Sequence, residues 1–130
     1  ERVGSPSEPE SGLVKVPADY PTTPEGVAER FYNFLVAGKF ESAFEMLTPS
    51  LHSPEELKSV WIKGDGLNIK RVEVLKSYQK TAFGRTTAEV TGITYWKDGT
   101  KTIEDNPPNR YLIRAENVSG VWRIDSGQLF

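Results

Sequence analysis

Cysteine is absent from this chain of 130 residues. That single lack removes thiol nucleophiles, thiolate metal sites and disulfides together, though it leaves the compartment open. No apolar run approaches the length of a bilayer span, and no charged, apolar and small-residue series reads as a signal peptide. A surplus of one charge is also missing. The net charge is −2 with acids and bases interspersed, so no basic track for a phosphate backbone exists and nucleic acid is not an expected partner. Histidine occurs once, as His52, with no cluster of Asp, Glu or Cys at ligand spacing, and no glycine-rich phosphate loop appears. No metal or cofactor is therefore expected.

The composition is that of one globular domain, 37% hydrophobic and 26% charged, with apolar residues concentrated after Pro24. Residues 1–21 read as a tether or linker. Ser5, Pro6, Ser7, Glu8, Pro9, Glu10, Ser11 and Gly12 are too polar and proline-rich to offset their own ordering entropy. Leu13, Val14, Val16 and Tyr20 are available to dock as an extended arm. The start at Glu1 rather than Met reads as a trimmed product. Residues 22–130 form the expected domain.

Thr23 as N-cap, Pro24 at the first helical position and Glu25 near the positive helix end predict a first helix. Its stripe is Val27, Phe31, Phe34 and Leu35, and Gly38 stops it. Phe40, Ala43, Phe44 and Leu47 predict a second, shorter helix that Thr48-Pro49 ends. Ser53-Pro54-Glu55-Glu56 is a capping box for a third, with Leu57, Val60 and Trp61 buried and Gly64-Asp65-Gly66 closing it. From Leu67 the pattern turns to alternation, and four strands follow.

Val72, Val74 and Tyr78 share one phase and Leu67 and Ile69 the other, which predicts a bulge near Lys70-Arg71. Gly92, between Ala88/Val90 and Ile93/Tyr95, is expected as a second bulge. Asp98-Gly99 predicts a type I′ hairpin turn. Asn106-Pro107-Pro108-Asn109 should interrupt the returning strand, which resumes at Arg110. The last hairpin turns through Asn117 to Gly120. The expected class is α+β, three helices packed on a curved four-stranded antiparallel sheet whose breaks would split it into five or six strands.

Three stretches carry a resemblance: residues 28–35 with the adjoining 38–44, Tyr111-Leu112-Ile113-Arg114, and Gly120-Val121-Trp122-Arg123-Ile124-Asp125. Together with the element order, they resemble the nuclear-transport-factor-2-like superfamily, a cone in which a bent sheet wraps a helical hairpin. The opening resembles the bacterial extracytoplasmic branch of lipoprotein and membrane-anchored domains. The resemblance implies a cone fold, an extracytoplasmic or membrane-anchored location with a cytoplasmic one as the alternative, and no single chemistry, since members include isomerases, hydratases and non-catalytic adaptors.

Enzymes of that superfamily place an acid–base residue inside the cone. In the phase that holds Val72, Val74, Tyr78, Ala88, Val90, Tyr111, Ile113, Ala115, Trp122 and Ile124, no acid appears, because Glu73, Glu89, Glu116 and Asp125 face away. Lys76 shares the inward phase. Tyr32, Trp61, Tyr78 and Tyr111 with Lys76 are therefore the candidate pocket, and no residue is assigned as catalytic. His52 reads as a solvated turn residue and Asp65 as a turn former. The expected function is a non-catalytic, tethered interaction or scaffold domain; the alternative is a small-molecule binder or an isomerase- or dehydratase-like enzyme using the cone interior. Leu75, Leu112 and Val121, with Trp96 nearby, are expected on the outer sheet face as the patch of a weak homodimer.

Overall fold

The computed structural model describes residues 19–49 and 51–129, and no side chain beyond residue 127. Helix α1 (Pro24–Val36) begins where the sequence says: Thr23 is extended, and its hydroxyl accepts the N–H of Gly26 at 3.1 Å. Val27, Ala28, Phe31 and Leu35 make the buried stripe. Helix α2 (Phe40–Phe44) is shorter than expected. Leu47 leaves the helix to form a parallel bridge with Ile124, and Thr48 N–H donates to the Ile124 carbonyl at 2.8 Å. Tertiary pairing thus wins over the helical spacing that ran on to Thr48.

Helix α3 (Pro54–Lys63) is capped by Ser53, whose hydroxyl accepts from Glu56 N–H at 3.2 Å. The reciprocal bond of the box is displaced by one residue, since Glu56 accepts the N–H of His52 at 2.7 Å. A 3₁₀ turn, Gly66–Asn68, follows, and β1 (Ile69–Ala82) begins.

Strand β2 (Arg85–Trp96) is the spine of one antiparallel sheet. β1 pairs along one edge. Along the other lie β3 (Lys101–Asn106), which pairs with residues 92–95, and β5 (Ile113–Val118), which pairs with 86–90. These two are one returning strand, interrupted as expected by the diproline segment. The excursion between them is itself a small ladder, in which β4 (Arg110–Tyr111) pairs back on β3 through Asp105↔Tyr111 and Asn106↔Arg110. β6 (Val121–Ile124) pairs with β5. Among the described residues the four expected strands are therefore six, in the α+β order read from the sequence.

The inner face carries Ala88, Val90, Ile113, Ala115 and Ile124, which pack with α1 and with Met46, Leu47 and Leu57 into one core. Tyr20, just before α1, packs on that core, and its hydroxyl donates to the Trp122 carbonyl at 2.7 Å. Leu13, Val14 and Val16, the rest of the expected arm, lie outside the described residues.

The bulge near Lys70-Arg71 is present, as a register shift between Ile69 and Arg71. The second bulge is not at Gly92, which pairs regularly with Val74; it is on β1 between Val74 and Ser77. Thr91 compensates it, accepting Lys76 N–H at 3.2 Å and donating to the Lys76 carbonyl at 3.0 Å. Gly92 has a different duty. A Cβ there would collide with Leu112 and with the Glu73 carbonyl, so β1 and Leu112 close over β2 only because no side chain intervenes. The β2–β3 turn also differs from expectation. Gly99 alone of its pair has positive φ, and Gly99 N–H closes a turn to the Trp96 carbonyl, because the Asp98 carboxylate accepts both Thr100 N–H and its hydroxyl.

Candidate functional site

At the β3 end of the inner face, α1 presents Tyr32 and α3 presents Trp61, with ring centroids 6.4 Å apart. Both pack against the core. The Tyr32 hydroxyl donates to the Leu112 carbonyl at 3.3 Å, where the chain steps from β4 into β5. Trp61 lies flat over Gly66, leaving no room for a Cβ there. Two of the five predicted pocket residues are thus brought together.

The other three are not. The β1 bulge turns the alternation by one, so Tyr78 pairs with Glu89 on the outer face and stands exposed. Lys76 lies in the bulge itself, also exposed. Tyr111 is directed to the outer face, where Arg114 donates to its hydroxyl at 3.2 Å. Reading one unbroken phase from Val72 to Tyr78 caused the first two errors.

The same alternation supplies a residue that the sequence reading missed. Glu104 pairs with Gly92 and so shares the inner face with Val74 and Val90. Its carboxylate faces the Arg110 guanidinium at 3.3 Å. Packing around the Tyr32 hydroxyl pushes the phenol well above the ordinary tyrosine range, and the negative charge of Glu104 adds to that rise. An inward acid therefore exists on β3. Counting back from the Lys97–Gly99 turn would have found it, because that turn fixes which residues of β3 face Gly92 and Thr94.

On the outer face the charged side chains are ordered in layers. Glu89 lies between Lys80 and Arg114, 3.7 Å from each, and Arg114 also reaches Asp125 at 3.8 Å. Arg85 makes a two-pronged pair with Glu116, both bonds 2.9 Å. Arg123, buried, donates to the Glu45 carbonyl at 2.8 Å and ties β6 to the end of α2. The expected apolar patch is not contiguous here. Leu112 packs inward over Gly92, Leu75 is exposed at the bulge, and Val121 pairs with Val118, six residues along β5 from Leu112, about 20 Å away. His52 is exposed, 3.3 Å from Glu56.

A sheet curled by β1 bulges around α1, with three helices ahead of it, is the arrangement of the superfamily that the sequence resembles. It is similar to the crystal structure of a candidate NTF2-like transpeptidase from Campylobacter jejuni, with a TM-score of 0.50 and 14% identity, over 79% of this chain and 97% of that one. The chain carries the NTF2-like fold. No protein-family profile matches it, and no curated protein does. On the inner face Tyr32 and Trp61 are in ring contact and Glu104 lies on β3 opposite Gly92, and no helix among the described residues is long and apolar enough to cross a membrane.

Proposed function

We propose that this NTF2-like chain is a non-catalytic interaction or scaffold domain, held outside a cell membrane by its N-terminal tether. The observation that carries the reading is the pairing of the polar groups on the inner face. Trp61 is seated on Gly66 and Leu112 on Gly92, while the Tyr32 hydroxyl is spent on a backbone carbonyl and Glu104 is matched by Arg110. A general acid or base needs a free edge toward substrate, and a paired carboxylate or a bonded phenol lacks one. The name of the Campylobacter protein supports no closer assignment. The Ser/Pro/Glu-rich leader of residues 1–21 supports the extracytoplasmic part.

The test is a panel of isomerase, hydratase and dehydratase substrates offered to the purified domain, with cell fractionation of the full gene product. No turnover and a membrane or extracytoplasmic fraction are expected. Turnover that Glu104→Gln abolishes overturns the non-catalytic reading, and a cytosolic product overturns the tether.

One observation favours a second reading, a small-molecule binder or enzyme. The negative charge of Glu104, on the inner face of β3, adds to the rise of the Tyr32 phenol, and a carboxylate and a hydroxyl on one face are the groups that bind or protonate a carbonyl. A ligand that displaced Arg110 from Glu104 and took the Leu112 carbonyl's place at the Tyr32 hydroxyl would engage both groups, and its binding would be lost in Tyr32→Phe and Glu104→Gln alike.

A further inference from the structure

The hairpin of β1 and β2 ends in a two-residue turn, Phe83-Gly84, both with positive φ, 55° and 76°. That is the turn whose twist suits a hairpin, and its first position favours Asn, Asp or Gly. A phenylalanine in the left-handed region is strained and gains nothing from the fold, because its side chain is fully exposed. The hairpin beneath it is braced. Thr81 and Thr86 share a hydroxyl bond of 3.0 Å across the strands, and Arg85 is locked to Glu116 on β5. A rigid stem thus holds out one large apolar side chain.

The chain segment that carries that side chain has charges of one sign. Residues 76–87 contain Lys76, Lys80 and Arg85 and no carboxylate, in a chain whose net charge is −2. The acids that pair with two of these cations lie beneath them: side-chain exposure is 59% for Lys80 against 8% for Glu89, and 58% for Arg85 against 18% for Glu116. What faces outward is ammonium and guanidinium. Tyr78, exposed on the same face, stands two residues from Lys80.

We propose that the β1–β2 hairpin is a peripheral membrane-docking element, with Phe83 entering the headgroup boundary of an anionic bilayer and Lys80 and Arg85 meeting its phosphates. The reach fits. Lys80 and Arg85 are three and two residues from Phe83, about 10 Å and 7 Å at strand rise, which is the depth of a headgroup layer. An apolar tip with flanking cations is the pairing that peripheral anchors use, each part weak and the two together sufficient. The inference stands on the hairpin alone and does not require the N-terminal tether or the non-catalytic reading.

Co-sedimentation of the purified chain with phosphatidylcholine vesicles, with and without phosphatidylserine, tests it. The wild-type chain should bind the anionic vesicles and release in high salt. Phe83→Asn should lose about tenfold or more of that binding, the worth of one apolar side chain. Lys80→Gln should lose about fivefold, the worth of one cation at the surface. Asn suits the turn, so an unchanged or higher melting temperature of Phe83→Asn separates lost docking from lost folding. No binding by the wild type overturns the proposal and leaves Phe83 to a protein pocket. Undiminished binding by Phe83→Asn, or equal binding to neutral vesicles, overturns it as well.

Discussion

Thr91 holds the backbone of Lys76 by both its groups: its hydroxyl accepts the Lys76 N–H and donates to the Lys76 carbonyl. A side chain on β2 thereby replaces the ladder bonds that the β1 bulge forfeits. Thr91→Val keeps the shape and leaves both backbone groups without their partner. We expect a loss of roughly 2 kcal/mol in urea unfolding, with Thr91→Ser retaining most of the stability. Equal stability of Val and wild type would show that water serves the bulge as well.

Gly92 should tolerate no side chain. Its missing Cβ is the space taken by Leu112 and the Glu73 carbonyl, and backbone cannot yield as a side-chain tip can. Gly92→Ala is expected to cost at least about 1–3 kcal/mol, the range for overpacking, read as a lower denaturation midpoint at unchanged slope. Leu112→Glu should likewise destabilise the monomer, because the carboxylate would be placed on the inner side rather than on an outer patch.

Phe83→Asn should have the opposite sign. Removing a bulky side chain from a left-handed position is expected to raise stability by about 1 kcal/mol. Calorimetry of the variant beside wild type reads it, and a lower melting temperature would mean that the tip makes contacts with the domain after all.

Alkali should weaken the fold through Tyr32. The folded chain holds the phenol neutral, by burial first and by the Glu104 charge second, whereas the unfolded chain ionises near the ordinary value of about 10. Above that pH the unfolded state binds fewer protons than the native one. Stability, undiminished by this group below about pH 10, then falls by up to about 1.4 kcal/mol per pH unit until the folded phenol titrates. Tyr20 is raised by burial as well and adds a contribution of the same sign. Tyr32→Phe, compared with wild type from pH 8 to 11, should flatten the decline without abolishing it.

The helical half was legible because its signals are local. Thr23-Pro24 and Ser53-Pro54 act within one turn of themselves, and both caps form where they were expected. The sheet was legible in order but not in phase. A bulge exchanges the faces of every later residue, and the one at Leu75-Lys76 has no glycine or proline to announce it; its partner, Thr91, lies fifteen residues away. Tyr78 and Lys76 were misplaced for that reason, and Gly92 attracted a bulge because a glycine that admits a neighbour looks the same in sequence as a glycine that bends. Glu104 was hidden differently. Nothing around it is apolar in alternation, and only the register set by the hairpin turn assigns its face.

The parallel bridge of Leu47 with Ile124, and the Thr48–Ser126 bonds beside it, join the helical segment to the last strand. A ribosome delivers Leu47 long before Ile124. Until β6 emerges, the underside of α2 and the stripe of α1 have nothing from it to cover them, so the nascent helices wait with an open seam. The hairpins of β1, β2 and β3 can close as they appear, but the domain is sealed only by β6. A chain stopped short at Gly120 should therefore be a substrate for chaperones and proteases rather than a smaller stable domain.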